Sequence, residues 1–143
     1  ITNEQDDEMD MIEDIVHEVS HAVEQYNREF IYGDGRLQRE FAAKRRRLSG
    51  LLSQKYAVPA DFVTNFEYDR AIDDFLYRDV GYDILNQITV GIFPSAYAAT
   101  SVSEYWAKGF EELFIGDRSD LKSLCPVLYK TLTTLMKELE DKT

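Results

Sequence analysis

Apolar residues recur along the first part of the chain at intervals of three and four. Between about Glu8 and Tyr26 they stand at Ile12, Ile15, Val16, Val19, Val23 and Tyr26. This spacing predicts a helix with a single apolar stripe, with Val19 and Val23 directed into a core. A break at residues 32–35 follows, and a second stripe then predicts a helix that runs to about Lys55. The members of this second stripe are Leu37, Phe41, Leu48, Leu51 and Leu52.

The middle of the chain is less regular. The segment Val58-Pro59-Ala60-Asp61 is typical of a helix start and predicts two short helices with a break near Asn65. Residues 84–94 contain β-branched residues punctuated by Gly91 and Pro94, which predicts a helix end followed by a short extended stretch. A small β element within residues 27–96 is therefore expected.

The last third of the chain predicts two further helices. Ser101 opens the first, and Gly116 ends it. The second is amphipathic, runs from about Leu124 to Leu139 and has Pro126 near its first turn. The expected fold is mainly α, in a single domain spanning residues 1–143.

Composition agrees with one domain and limits the partners. The 143 residues are 44% hydrophobic, which is enough for a core. No apolar run is long enough to cross a membrane, and the single cysteine, Cys125, is expected to pack as a small apolar residue. Because the chain begins with Ile1 rather than Met, we expect a processed product or a part of a longer polypeptide.

Charge is strongly acidic and unevenly distributed. A net charge of −11 disfavours nucleic acid as the main partner and favours basic protein or peptide substrates. The run Lys44 to Arg47 is predicted to lie on the exposed side of the second helix as a solvated face. Acidic residues gather at Glu4, Asp6, Asp7, Glu8, Asp10, Glu13 and Asp14. They lack the glycine and ligand spacing of a calcium loop, so a solvated helix start is expected there.

The first predicted helix carries the clearest chemical signal. His17, Glu18 and His21 form the pattern His-Glu-x-x-His, and the chain has no histidine other than His17 and His21. Residues four apart lie on one face of a helix, so both imidazoles can bind one zinc ion while Glu18 acts as general base on a water. The alternative is an ordinary helix with two exposed histidines.

Two histidines leave a catalytic zinc ion short of the three protein ligands that such sites usually have. There is no third histidine, and Cys125 lies in a leucine-rich stretch where it is better explained as a core residue. The third ligand is therefore expected to be a carboxylate.

A second segment pairs with the histidine motif. It has Tyr97 seven residues before Glu104, which is followed by two aromatic residues, an alanine and, further on, a phenylalanine. Together the two segments resemble the catalytic domain of the anthrax lethal factor family of zinc metallopeptidases, of gluzincin type, which includes the secreted proline-proline endopeptidases. The resemblance implies a zincin-like helical domain and a zinc-dependent endopeptidase, in which Glu104 is the third zinc ligand and Tyr97 assists catalysis.

Other interpretations of the same residues stay open. Ser101 and Glu104 also have the spacing of a capping box, which satisfies free amides at a helix start. Tyr97 is one of nine tyrosines and could be a half-buried core residue with its hydroxyl at the surface. The competing function is a non-catalytic structural or assembly module that keeps a zincin-like fold. Nucleic-acid binding through the basic run ranks last.

Overall fold

The computed structural model describes residues 4–143, and their side chains from Asp7 onward. The side chains of Glu4 and Asp6, part of the acidic cluster, lie outside the described residues. The helices are α1 (Glu4–Tyr26), α2 (Arg28–Tyr32), α3 (Arg36–Leu52), α4 (Arg70–Asp74), α5 (Tyr82–Ile88), α6 (Val102–Ile115), α7 (Arg118–Leu124) and α8 (Pro126–Asp141). A π-helical turn, Phe75–Val80, continues α4, and a 3₁₀ turn, Tyr97–Ala99, precedes α6. The protein is mainly helical, as predicted.

The small β element expected within residues 27–96 is absent, since residues 4–143 contain no strand. Gly81, at a φ of 88°, lets the chain turn sharply out of the π-helical segment and into α5. Residues 89–92 then form turns and residues 93–96 form bends, and Gly91 supplies another positive φ, 80°. The β-branched residues of this region therefore pack in a helix and turns, which shows tertiary context overriding local preference.

Only one of the two short helices expected after Pro59 forms. Residues 60–64 make turns, and α4 begins after Asp69, whose carboxylate accepts hydrogen bonds from the amides of Ala71 and Ile72. The carbonyl of Phe62 accepts a hydrogen bond from the guanidinium of Arg45. That carbonyl is thus bonded to a side chain of α3, whereas in a helix it would accept a hydrogen bond from a backbone amide of the same segment.

The prediction that the basic run faces solvent is wrong for its first two members. Arg46 and Arg47 are exposed, but Lys44 and Arg45 are buried. Arg45 donates to the carbonyls of Ala99 (2.7 Å) and Thr100 (3.0 Å) and stacks over two phenylalanine rings. Burial lowers the pKa of Arg45 to about 10. The hydrogen bonds of Arg45 therefore connect α3 to the backbone just before α6.

The apolar residues of α1 divide between two faces. Val16 and Val23 pack against the core, as the first stripe predicted for Val23. Ile12, Ile15 and Val19 are instead 44%, 56% and 44% exposed, so the prediction that Val19 points into the core is wrong. A helix that packs along one line buries only a narrow set of positions, and these three lie outside it.

Helices α1 and α6 pack closely together, and this contact builds the site described below. The buried indole of Trp106 on α6 donates a hydrogen bond of 2.9 Å to the carbonyl of Ser20 on α1. Ser20 is itself fully buried, and its hydroxyl donates to the carbonyl of His17. Indole burial with its N–H satisfied is a strong packing anchor. Within residues 4–143, no helix combines the length and apolar character that crossing a bilayer would require.

Candidate metal centre

The two histidines of α1 face the same way. His17 and His21 stand one turn apart, and their Nε2 atoms are 3.2 Å from each other. The rings meet edge to face with centroids 4.7 Å apart. Their side chains are 38% and 31% exposed, so solvent reaches the point towards which both Nε2 atoms are directed.

Glu104 on α6 supplies a carboxylate to this point. Its Oε2 lies 3.6 Å from Nε2 of His17, and its Oε1 lies 3.4 Å from Nε2 of His21. The capping box is only half formed, because Ser101 Oγ accepts a hydrogen bond from the amide of Glu104 (3.2 Å) while the Glu104 carboxylate faces the imidazoles. Ser101 thus starts α6 at a position that leaves the Glu104 side chain free for α1.

The three groups are close enough together that they could hold one metal ion. His17, His21 and Glu104 each offer one ligand atom, and all these atoms lie within 4.8 Å of one another. Zinc–nitrogen and zinc–oxygen bonds of about 2.0–2.2 Å at tetrahedral angles require ligand atoms about 3.3–3.6 Å apart. The two Nε2 atoms are 3.2 Å apart, and each has a different oxygen of Glu104 at 3.6 or 3.4 Å, so the three side chains approach one another at about these distances. Two imidazoles and one carboxylate are also a donor set that zinc accepts, with a fourth position open to solvent.

A buried carboxylate orients one of the imidazoles. Glu24 is 4% exposed, and its Oε1 lies 3.1 Å from Nδ1 of His21. Ser103 on α6 donates to the same oxygen at 2.8 Å, and the hydroxyl of Tyr32 on α2 donates to the other. In the tautomer in which Nδ1–H of His21 donates to Glu24, Nε2 carries the lone pair, and this is the tautomer that a metal ligand needs.

Sequence analysis did not identify Glu24 or its donors. A signal existed for Glu24, because it follows His21 by three residues and so lies on the same helical face. No local pattern points to Tyr32, which reaches Glu24 only through the packing of α2 against α1. Burial, together with the hydrogen bond to Glu24, raises the pKa of Tyr32 well above its usual value, so its hydroxyl stays a donor.

Tyr97 and Glu18 occupy different positions around the site. Tyr97 lines a cleft of about 170 Å³ together with His17, Glu104 and Lys108, and the residue is 51% exposed. Burial and the nearby Glu104 carboxylate raise the pKa of Tyr97, so its hydroxyl is protonated near neutral pH. Glu18 is exposed on α1 and is not among the residues that line this cleft.

A second tyrosine, which sequence analysis missed, lies beside Tyr97. The ring centroids of Tyr82 and Tyr97 are 6.5 Å apart. The hydroxyl of Tyr82 is enclosed and has no hydrogen-bond partner among the described residues. Burial raises the pKa of Tyr82 to about 12, with contributions from Asp73, Tyr97 and Glu104. Both tyrosines next to Glu104 are therefore neutral hydroxyl groups at physiological pH.

Comparison of the chain with models of protein families, with curated proteins and with solved structures finds no match. The likeness to the lethal factor family accordingly depends on the two sequence segments that carry it. The convergence of His17, His21 and Glu104 is a separate observation, because it follows from the packing of α1 against α6.

Proposed function

We propose that this protein is a zinc-dependent endopeptidase in which His17, His21 and Glu104 hold the metal and Glu18 is the general base. The observation that carries the proposal is the convergence of three side chains: the two Nε2 atoms are 3.2 Å apart, and the two carboxylate oxygens of Glu104 lie 3.6 Å from that of His17 and 3.4 Å from that of His21. Support also comes from the Glu24 carboxylate, because histidine ligands usually donate their second ring nitrogen to such a group.

The proposed chemistry divides between the metal and the side chains. Zinc, when bound, lowers the pKa of a coordinated water towards about 7 and polarises a carbonyl group. Glu18, which helical geometry puts about 100° around α1 from His17, accepts the proton of the attacking water and passes it to the leaving amine. The protonated hydroxyl of Tyr97 donates a hydrogen bond to the oxyanion, the role that the sequence resemblance implies for it.

The acidity of the chain bears on the substrate. With a net charge of −11, the protein attracts basic peptides over a distance and repels acidic ones. We therefore propose that its substrates are peptides or unfolded protein segments that carry lysine or arginine. Lys108, which lines the cleft, does not reverse this field because it is paired with Glu111 (3.7 Å) and Glu112 (3.3 Å).

The first test is the metal content of the purified protein. Elemental analysis after reconstitution should give about one zinc ion per chain, and a His17→Ala/His21→Ala variant should retain none. Absence of zinc in the reconstituted wild-type protein would refute the proposal. In that case the short distance between the two Nε2 atoms would be an ordinary hydrogen bond between imidazoles.

The second test separates catalysis from metal binding. On a quenched fluorescent library of basic peptides, Glu18→Gln should lower turnover by about 10²–10⁴-fold while keeping the zinc. The matched control is Glu13→Gln, which removes an exposed carboxylate from the same helix. If Glu18→Gln cleaves as fast as Glu13→Gln, the assignment of the base is wrong.

The second candidate function is a non-catalytic module that holds the metal for structural purposes. One observation favours it: residues 4–143 contain no strand, and an extended peptide is commonly aligned against a sheet edge beside a catalytic metal. This candidate predicts zinc content equal to that of the peptidase, no cleavage of any library peptide, and a loss of thermal stability on chelation.

A further inference from the structure

Helix α1 has an apolar stripe that the rest of the chain leaves uncovered. It consists of Ile12, Ile15, Val19, Ala22 and Tyr26, and we call these five residues the apolar seam. Ile12, Ile15, Val19 and Tyr26 are 44%, 56%, 44% and 86% exposed, and Ala22 is also exposed. The seam runs along one side of a helix of 23 residues.

The spacing within the seam is that of a helix–helix contact. Successive members are separated by three, four, three and four residues, which is the heptad pattern of a coiled-coil seam. A surface that exposes contiguous large apolar residues in such a row usually marks an interaction site. Val16 and Val23, which belong to the neighbouring stripe, are already used against the core. The seam is therefore a second packing face on the same helix.

The charges around the seam indicate what can cover it. Residues 1–27 contain no lysine or arginine. Of the exposed acidic side chains of α1, helical spacing puts Asp7, Asp14 and Glu18 along one side of the seam, whereas Val16 and Val23 on its other side pack against the core. Two copies of α1 packed side by side would bring these like charges together, which opposes self-association. Anionic lipid and nucleic acid are repelled for the same reason.

We propose that the apolar seam of α1 docks an amphipathic helix of a partner protein, with lysine or arginine flanking its own apolar stripe. Such a helix buries the seam and meets its acidic side with opposite charge, as in other helix-in-groove and coiled-coil contacts. Glu18 borders the seam, so a docked helix would pass beside the metal-binding face. The proposal does not depend on zinc or on catalysis.

The experiment uses a synthetic helical peptide of four heptads with leucine at the a and d positions and lysine at e and g. Calorimetric titration into the wild-type protein at low salt should give saturable one-to-one binding, weakened several-fold at about 0.5 M salt because the flanking charges are screened. A peptide with glutamate in place of lysine, and a scrambled peptide of the same composition, should not bind. Equal binding of the scrambled peptide would mean charge attraction alone and would overturn the proposal.

Variants locate the binding on the protein. Ile15→Ser/Val19→Ser keeps the charge of α1 and should weaken peptide binding at least tenfold, while its circular dichroism and zinc content stay those of the wild type. The matched control is Ile84→Ser/Val90→Ser, which changes two other exposed apolar residues (42% and 76% exposed) and should bind normally. Undiminished binding by the seam variant refutes the proposal. Sedimentation equilibrium completes the test. If the wild-type protein is a dimer and the seam variant is a monomer, the seam binds a second copy of the chain, and the proposal of a basic partner helix is overturned.

Discussion

Glu24→Gln is the most informative single substitution at the candidate metal centre. Glutamine has the shape of glutamate, so packing is kept, but its amide has one acceptor oxygen and a donor NH₂ group. The wild-type carboxylate accepts from three donors, on His21, Ser103 and Tyr32. The amide cannot accept from all three, and its NH₂ group must face at least one donor. The side chain most affected is the imidazole of His21, which loses the charge that holds its tautomer.

The size of the effect follows from two separate contributions. Removing the partner of a metal-ligating histidine typically costs 10–100-fold in metal affinity, which is about 1.4–2.7 kcal/mol. Because Glu24 is 4% exposed, any hydroxyl left without an acceptor there also costs about 1–3 kcal/mol of folding stability. The first contribution appears only when zinc binds, whereas the second appears in the metal-free protein as well.

Competition with a chromophoric chelator measures the zinc affinity, and urea unfolding of the metal-free protein measures the stability. We expect Glu24→Gln to bind zinc 10–100-fold more weakly than the wild type. Glu13→Gln, an exposed change on the same helix, should bind it equally well. If Glu24→Gln loses stability but keeps the wild-type zinc affinity, Glu24 only supports packing and the proposed orientation of His21 is refuted.

Three further predictions concern the scaffold. Arg45→Met leaves buried carbonyls without their donor and should lower the free energy of unfolding by about 3 kcal/mol or more, measured by urea titration. Gly109→Ala puts a Cβ 2.5 Å from the side chain of Leu128 and should lower the free energy of unfolding by about 1–3 kcal/mol. Gly50→Ala meets nothing within 4 Å and should raise it by about 0.5–1 kcal/mol. Equal effects of the two substitutions would contradict the packing of α6 on α8. Burial raises the pKa of Tyr82 to about 12. The unfolded chain, with tyrosines near 10, therefore binds fewer protons above pH 10, and the free energy of unfolding should fall from there towards pH 12.

The sequence predicts the parts of this protein that depend on short-range spacing. The long helices α1, α3, α6 and α8 follow from apolar periodicity, and the pairing of His17 with His21 follows from their separation of one turn. The approach of Glu104 to that pair requires the packing of two helices about 80 residues apart in the chain. Spacing alone cannot give such a contact, which is why the residues by themselves favoured a cap and only the resemblance favoured Glu104 as a metal ligand.

The prediction that the run Lys44 to Arg47 lies on one exposed side of α3 is inconsistent with the geometry of a helix. Each helical residue advances by about 100°, so the four residues Lys44 to Arg47 span about 300° of the circumference of α3. They cannot all be on one exposed side of a helix that packs against a core. Leu48 is fully buried, and four residues before it, on the same face, stands Lys44, with Arg45 beside it. The interior position of Arg45 thus follows from the helical period once Phe41 and Leu48 are assigned to the core. Its hydrogen bonds to the carbonyls of Ala99 and Thr100 hold the backbone just before α6, the helix that carries Glu104 on its first turn.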